Sequence, residues 1–228
     1  MCQALSYRGP DDSGYYIPKL NYNNRKKQPN VGFGHKRLSI IDLSNAGQQP
    51  MSNEDGTIWI TYNGEIYNYK SLADDLKNKG HQFRSDTDTE VILHLYEEKG
   101  LRAVQHLNGM FAFAIWDENL DRLLICRDRI GIKPLVYYYD SEHFVFASEI
   151  KALLTDPTIS KNIDYHALQL YLSFNFIPAP FTIFKNVRKL EPGHSLVLQD
   201  RTVEINSYWD LPNSIDQEIA SLSQSKQI

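Results

Sequence analysis

Four short apolar segments between residues 109 and 149 constrain the fold more than any other part of this sequence. They read GMFAFAIWD, RLLICRDR, PLVYYYD and HFVFASE, and the polar stretches DENLD and DSEH join them in pairs. Segments rich in aromatic and β-branched residues and bounded by polar turns are typical of strands. Parallel strands need a crossover of roughly a dozen residues, so links this short predict antiparallel pairs.

Two helices are predicted immediately before these strands. Apolar residues recur at spacings of three and four in YKSLADDLKNKG (69–80), and Gly80 ends that pattern. In SDTDTEVILHLYEEKG (85–100), Thr87 stands three residues before Glu90, which is the spacing of a capping box. Each stretch therefore has an apolar face and a signal for where the helix begins or ends.

The remaining periodic segments complete an α+β pattern. TIWITYNGEIYNY (57–69) is predicted as a strand that runs into a turn at Asn63–Gly64, a dipeptide that tolerates positive φ. Further predicted elements are a β-rich stretch at 31–43, helices at 149–154 and 164–174, and a final hairpin at 194–210. Because strands and helices are segregated along the chain, an α+β fold with antiparallel sheets is favoured over a parallel α/β fold.

The composition argues against several classes of partner. With 24 Lys and Arg against 28 Asp and Glu, the formal net charge of -4 gives no positive field for nucleic acid or an anionic membrane. No apolar run approaches the roughly 20 residues that a membrane span requires. The two cysteines, Cys2 and Cys126, form neither a disulfide framework nor a zinc motif. We therefore expect a cytoplasmic protein with no nucleic-acid or membrane partner and no bound metal.

A series of short blocks, taken in order, resembles a known family. The blocks read YRGPDDSG, GHKRLSIIDLS, GQQPM, YNGEIYNY, SDTDTEVI, LNGMFAFAIWD, RDRIGIKPLVY, FASEIKALL, FIPAPFTIFKNVRKLEPGHSL and YWDLP. NGE alone is a weak signal, but the ordered series, over about residues 5–210, resembles the glutaminase domain of glutamine-hydrolysing asparagine synthetases, a class II glutamine amidotransferase. The resemblance implies the N-terminal-nucleophile fold, an αββα four-layer sandwich with two antiparallel sheets. It also implies a glutaminase domain over 1–210 and, over 211–228, a linker towards an absent synthetase domain.

The resemblance assigns residues to the two ends of a bound glutamine. Arg37 stands at the carboxylate-binding position, and a guanidinium can pair with a carboxylate through two parallel hydrogen bonds. Asp88 matches the position that binds the α-ammonium group, with Glu65 nearby in the pocket. The family also lines this pocket with a segment that corresponds here to Arg37 and the residues after it, namely Leu38, Ser39, Ile40 and Ile41.

An oxyanion hole is implied at Asn63 and Gly64. When a nucleophile attacks the side-chain amide of glutamine, the carbonyl oxygen gains negative charge and needs hydrogen-bond donors already in place. By resemblance, these donors are the side-chain amide of Asn63 and the backbone N–H of Gly64.

Each of these residues also has a structural interpretation when it is considered alone. Arg37 can pair with a surface carboxylate, and Asn63–Gly64 can be an ordinary turn. Asp88 can cap a helix, and Glu65 can be a solvated charge at a strand end. Only the ordered combination favours the pocket.

The sequence around Cys2 does not match the nucleophile of the family. There the nucleophilic cysteine follows the initiator Met, in a segment resembling Met-Cys-Gly-Ile, a few tens of residues before the RGPD block. Here Gln-Ala-Leu follows Cys2, and Arg8 begins RGPDD six residues after it. MCQALSYRGPDD instead matches the helix that precedes this block. We therefore expect that the first strand and the nucleophilic cysteine are missing, and that Cys126 is a packed thiol.

Functions of different classes remain open at this stage. In the first, the intact protein hydrolyses glutamine and passes ammonia to a synthetase domain that amidates aspartate with ATP and Mg²⁺. Neither cofactor is expected in this chain, and whether the chain itself is an enzyme stays open. In the second, the chain is a non-catalytic glutamine-binding or scaffolding module. A third, an amidotransferase acting on a sugar phosphate, is disfavoured because FIPAPFTIFKNVRKLEPGH is typical of the asparagine-synthetase branch. A homo-oligomer is compatible with all three.

Overall fold

The computed structural model describes residues 1–18, 31–37 and 47–211. The strands are β1 (Asp12–Tyr16), β2 (Phe33–Arg37), β3 (Met51–Ser52), β4 (Ile58–Ile66), β5 (Gly109–Asp117), β6 (Arg122–Arg127), β7 (Val136–Tyr139), β8 (Phe144–Ala147), β9 (Val187–Lys189), β10 (His194–Gln199) and β11 (Thr202–Ser207). The α-helices are α1 (Tyr69–Asn78), α2 (Asp88–Lys99), α3 (Ile150–Leu153) and α4 (Tyr165–Phe174). Two segments are 3-10 helical, Cys2–Leu5 and Gly100–His106.

The described strands pair in antiparallel fashion throughout. The largest sheet has six strands in the order β11-β10-β6-β5-β4-β3, and a second has three in the order β8-β7-β9. Strands β1 and β2 form a separate two-stranded ribbon. The predicted pairs β5–β6 and β7–β8 are confirmed, but they belong to different sheets. Their short turns specify each pair, whereas the longer link from β6 to β7 carries the chain between the sheets.

Two charged side chains, those of the half-buried Arg127 and the buried Asp128, hold that link in shape. The Asp128 carboxylate is fully buried and accepts hydrogen bonds from the N–H groups of Ile132 and Lys133, both at 2.9 Å. The Arg127 guanidinium donates to the carbonyl oxygens of Lys133 at 2.8 Å and Leu190 at 2.6 Å. These bonds satisfy backbone groups that lie outside the strands and have no partner in a sheet, so Arg127 and Asp128 have a structural role.

Apolar residues cover both faces of the six-stranded sheet and produce a layered core. One cluster packs α1 and α2 against one face and includes Ile60, Leu76, Ile92, Phe111 and Phe113. A second lies between the opposite face and the three-stranded sheet and includes Ala112, Ala114, Trp116 and Leu196. Alternate residues of β5 thus divide between the two clusters, as the two-residue period of a strand requires. A third cluster packs α3 against the outer face of the three-stranded sheet.

The helix cap predicted at Thr87 is confirmed, but the capping box is incomplete, because the N–H of Thr87 donates to the Ser85 hydroxyl and not to Glu90. The Thr87 hydroxyl accepts a hydrogen bond from the N–H of Glu90. The Glu90 carboxylate in turn accepts from the N–H groups of Arg84 at 2.8 Å and Ser85 at 2.7 Å. The Thr87 bond satisfies a donor in the first turn of α2, and the Glu90 bonds hold the segment that leads into the helix. Together they fix the position of Asp88 as the first residue of α2.

The prediction of a turn at Asn63–Gly64 is wrong. Strand β4 continues through both residues to Ile66, and each of its 9 residues has a partner on β5. An Asn-Gly dipeptide tolerates a turn but does not require one, and here β5 supplies partners along the whole of β4. The dipeptide therefore lies inside a long strand, with its backbone held by the sheet.

Some predictions fall outside the described residues. These are the pocket positions Leu38, Ser39, Ile40 and Ile41 and the linker beyond residue 211. Within the described ranges, no helix combines the length and the apolar character needed to cross a membrane.

Candidate functional site

A cavity of about 420 Å³ opens between the two larger sheets. Strands β4 and β5 form one wall and β8 contributes another. The N-terminal 3-10 segment, β2 and the start of α2 complete the lining. Folding brings together in this lining all the predicted pocket residues that the structure describes, namely Arg37, Asn63, Gly64, Glu65 and Asp88.

Along one edge of β4, the backbone N–H groups point away from β5. Strand β3 ends before it reaches this part of β4, so side chains take its place. The N–H of Tyr62 donates to Oε1 of Gln49 at 2.6 Å, and that of Ile66 donates to Oδ2 of Asp88 at 2.9 Å. Since alternate residues of an antiparallel strand direct their N–H groups to the same edge, the N–H of Gly64 is directed between those two acceptors.

Position 64 has no room for a side chain. A Cβ atom built on Gly64 would lie 2.3 Å from the carbonyl oxygen of Met110 and 2.8 Å from Cα of Phe111 on β5. Glycine therefore allows β4 and β5 to approach closely here. Because Gly64 and Asn63 both line the cavity, a small molecule there can reach the backbone donor of one and the side-chain amide of the other.

Asp88 places a buried carboxylate at the start of α2. Its Oδ2 atom accepts hydrogen bonds from the Tyr62 hydroxyl at 2.7 Å and from the N–H of Ile66 at 2.9 Å. Burial raises the pKa of Asp88 above its ordinary value, and these hydrogen bonds partly offset that rise. The carboxylate is therefore held in one orientation on the cavity wall, where it can pair with an ammonium group.

Arg37, the last residue of β2, borders the same cavity. Its guanidinium lies against Gly47, because a Cβ atom added to that glycine would stand 2.5 Å from Nη2. Two residues earlier, the Nδ1 atom of His35 lies 3.2 Å from the Thr61 hydroxyl oxygen. Burial, together with the positive charge of Arg37, lowers the pKa of His35 to about 4. The imidazole is therefore neutral near pH 7, whereas Arg37 places a positively charged group on this part of the wall.

The two cysteines have different surroundings. Cys2 lies beside Gly34 of β2, since a Cβ atom added to this glycine would stand 2.3 Å from Sγ of Cys2. Cys2 also borders the cavity that Asn63 lines. Its position on a helical turn agrees with the sequence interpretation. Cys126 is fully buried on β6, and burial raises the pKa of its thiol well above its ordinary value. Cys126 is therefore a packed thiol, whereas Cys2 is close to the candidate site.

Several polar side chains of this site were not predicted from the sequence, among them those of His35, Gln49 and Tyr62. A signal existed for two of them, since His35 precedes Arg37 by two residues and Tyr62 precedes Gly64 by two, which is the period of a strand. Gln49 belongs to the GQQPM block but had no such signal. Its contact with Tyr62 joins residues that are 13 apart in the chain.

Comparison with known proteins identifies what this arrangement resembles. A family model described as a glutamine amidotransferase domain matches residues 1–209. Glutamine-hydrolysing asparagine synthetase 1 of Bacillus subtilis is 43% identical over 210 residues, which are 92% of this chain and 31% of that protein. Asparagine synthetase 3 of the same organism is 39% identical over 230 residues, covering 97% of this chain and 36% of the relative. The chain spans about a third of the length of these curated relatives.

A solved structure supports the fold. The glutamine phosphoribosylpyrophosphate amidotransferase of Bacillus subtilis, in complex with ADP and GMP, matches 78% of this chain and 35% of its own, with a TM-score of 0.54 and 23% identity. This likeness confirms the predicted α+β sandwich of the N-terminal-nucleophile type. The family match extends over nearly the whole described chain, and the resemblance noted in the sequence is confirmed with it. This chain therefore belongs to the glutamine amidotransferase domain family and is a homologue of the glutaminase domains of asparagine synthetases.

Proposed function

We propose that this chain holds free glutamine in the cavity between its sheets, and that the intact protein uses the released ammonia to amidate aspartate. The observation that supports this most directly is the direction of the Gly64 N–H, between Gln49 and the Asp88 carboxylate. Such a donor is in place before substrate arrives, as stabilisation of an oxyanion requires. The family match supports glutamine as the substrate.

The charges of the cavity suit the two ends of an amino acid. Arg37 borders one part of the lining and the buried Asp88 another. Under the proposal, the guanidinium pairs with the carboxylate of glutamine and Asp88 pairs with its ammonium group. The side-chain carbonyl then reaches Asn63 and Gly64, whose donors stabilise the negative charge that forms on oxygen during attack at carbon. Glu65 completes the described part of the pocket.

The attacking group is a separate question from glutamine binding. The sequence context of Cys2 differs from that of the family nucleophile, and we propose that Cys2 is not needed for glutamine binding. A thiol is nevertheless an intrinsically strong nucleophile, and Cys2 borders the cavity. Its role is therefore the first to test.

The length of the relatives supports a second domain in the intact protein. Two that are named asparagine synthetases are about three times as long as the segment this chain matches. Under the proposal, a synthetase domain activates aspartate with ATP and Mg²⁺ and receives ammonia from this domain. The cytoplasm is the expected compartment, because Cys2 and Cys126 are free thiols that a reducing environment preserves.

Calorimetric titration of the purified chain with L-glutamine tests the binding proposal. We expect Arg37→Ala to weaken binding at least about tenfold, since a charge-assisted bidentate pair is lost. Arg102→Ala, at an exposed arginine of the 3-10 segment Gly100–His106, should leave the affinity unchanged. A folded chain that binds no glutamine, or equal effects of the two substitutions, would contradict the proposal.

Ammonia release separates hydrolysis from binding. We expect none from the chain or from Cys2→Ala, while both bind glutamine with the same affinity. Release that disappears in Cys2→Ala would instead identify Cys2 as the nucleophile.

A further inference from the structure

A cluster of ionisable side chains lies outside the cavity, where the segment after α1 meets α2. His81 follows α1, while His94 and Glu97 are three residues apart on α2. The Nδ1 atoms of the two imidazoles are 3.2 Å apart. The Oε2 atom of Glu97 lies 2.8 Å from Nδ1 of His94 and 3.5 Å from Nδ1 of His81. Three atoms that can bind a metal ion therefore converge on one point.

These separations suit ligands of one metal ion. Nitrogen and oxygen ligands at about 2.0–2.2 Å from Zn²⁺, in tetrahedral arrangement, lie about 3.3 Å from each other. The separations of 3.2 and 3.5 Å agree with this geometry. The remaining contact, between His94 and Glu97, would lengthen by about half an ångström on binding. Two imidazoles and one carboxylate are also a donor set that Zn²⁺ takes.

Hydrogen bonds alone do not explain the surroundings of the two ring nitrogens of His94. Its Nδ1 atom lies within bonding distance of both an imidazole and a carboxylate. Its Nε2 atom is buried and has no hydrogen-bond partner among the described residues, with only 1% of the side chain exposed. The carboxylates of Glu54 and Glu90 each lie 3.8 Å from that Nε2. A metal ion on Nδ1 would place the proton of a neutral His94 on Nε2, facing these two acceptors.

The other two ligands also have outer partners. The Nε2 atom of His81 lies 3.2 Å from Oε1 of Glu98. The Oε1 atom of Glu97, which is the oxygen not aimed at the histidines, accepts a 2.8 Å hydrogen bond from the side-chain amide of Asn53. Partners of this kind orient metal ligands, and histidine ligands usually donate their second N–H to a carboxylate or carbonyl. Side chains next to the three ligands therefore help to hold the ligand atoms in position.

The surrounding charges favour a cation at this point. The carboxylates of Glu54, Glu90 and Glu97 all lie within 3.8 Å of a ring nitrogen of His94. Their negative charges attract a divalent ion.

We propose that His81, His94 and Glu97 bind one Zn²⁺ ion through Nδ1, Nδ1 and Oε2, leaving the fourth tetrahedral position for water. The site goes beyond the proposed function, since it shares no residue with the glutamine cavity. It ties the segment after α1 to α2 and so has a structural role. No metal site was predicted from the sequence, because ligands 13 and 3 residues apart match no common zinc motif.

Competition with a chromophoric zinc chelator tests this site on tag-free, EDTA-treated protein. We expect one Zn²⁺ per chain, and a loss of affinity of at least about tenfold in both His81→Asn and Glu97→Gln. His143→Asn, at a histidine that pairs with Asp140 at 3.1 Å, and Cys2→Ser should bind Zn²⁺ like the parent. Unfolding curves by circular dichroism would verify that each variant is folded.

Two further readouts distinguish this site from binding elsewhere. Co²⁺ in place of Zn²⁺ should give tetrahedral d–d absorption bands with no thiolate charge-transfer band. Zn²⁺ in excess should raise Tm by about 5 °C, reversibly with EDTA, in the parent but not in His81→Asn. The absence of stoichiometric binding, affinity unchanged in both ligand variants, or a thiolate band would each overturn the proposal. Glutamine titration is a separate measurement, so its failure would not affect this result.

Discussion

The hydroxyl of Tyr62 donates a 2.7 Å hydrogen bond to Oδ2 of Asp88. Tyr62 lies on β4 and Asp88 begins α2, so this bond joins the sheet wall of the cavity to the helix. Both side chains are buried. A buried carboxylate is costly unless hydrogen-bond donors surround it. In the described structure, Oδ2 of Asp88 has two donors, the Tyr62 hydroxyl and the N–H of Ile66. The bond therefore links the stability of the domain to the candidate ammonium site.

Tyr62→Phe removes this donor and keeps the ring. We expect a loss of about 1–2 kcal/mol in the free energy of unfolding, because a buried carboxylate loses a partner. The pKa of Asp88 should rise further, and glutamine should bind several-fold more weakly. Urea denaturation and calorimetric titration measure the two effects. Tyr15→Phe, at an exposed tyrosine of β1, is the matched control. Equal results for the two variants would show that the bond to Asp88 has no special role.

Gly64→Ala tests the close approach of β4 and β5. The new Cβ atom would meet the carbonyl oxygen of Met110 at 2.3 Å, and backbone in a sheet cannot move aside easily. We expect a loss of about 2–3 kcal/mol in stability, as for other overpacked sites, and no measurable glutamine hydrolysis by the intact protein. Gly32→Ala is the control, since its Cβ would have only ordinary contacts at 3.8 and 3.9 Å. A fully stable Gly64→Ala variant would contradict the expectation.

Gly47→Ala should disturb Arg37 without unfolding the domain. A Cβ atom at position 47 would stand 2.5 Å from Nη2 of Arg37, which is the far end of a flexible side chain and can move. We expect glutamine to bind about tenfold more weakly, with a change in stability below about 1 kcal/mol. Combining Gly47→Ala with Arg37→Ala tests the mechanism. If the two substitutions act through the same guanidinium, the double variant should bind no more weakly than Arg37→Ala alone.

The fold was predictable where a local pattern carried the information. The polar turns specified the β5–β6 and β7–β8 pairs, and Thr87 with Glu90 specified the start of α2. Asn63–Gly64 was misread as a turn because its conformation is set by pairing with β5, a segment more than 40 residues later in the chain. A local signal of turn propensity cannot report a partner so distant.

The residues of the candidate site also divide into those that a local sequence pattern indicates and those that only the fold brings together. Arg37, Asn63 and Asp88 were found because each belongs to a block with a recognisable order. The bond from Tyr62 to Gln49 and the cluster of His81 with His94 depend on tertiary contacts that no local spacing records. Side chains that interact only through folding need coordinates to be found.

His35→Asn tests the electrostatics of the cavity through pH. The pKa of His35 is about 4 in the folded protein, below the value of about 6.5 in an unfolded chain. The unfolded state therefore binds more protons between these values, and the stability of the parent should rise with pH through this window, by at most about 3 kcal/mol. His35→Asn should lose this contribution, and His166→Asn, at an exposed histidine of α4, should keep it. Unfolding in urea from pH 4 to pH 7 provides the measurement, and superimposable profiles for the parent and His35→Asn would contradict the assignment.

Thr87→Val separates the hydroxyl of the helix cap from its packing. The variant keeps a β-branched side chain of similar volume at a buried position, but it loses the acceptor for the N–H of Glu90 and the hydroxyl contact with Ser85 at 2.9 Å. We expect a loss of about 1 kcal/mol in stability, seen as a fall in Tm of about 2–4 °C. Thr87→Ser retains the hydroxyl and should recover most of this loss. Because the cap fixes the position of Asp88, Thr87→Val should also weaken glutamine binding, whereas Thr87→Ser should not. Stability and glutamine affinity in Thr87→Val equal to those of the parent would contradict the role assigned to the hydroxyl.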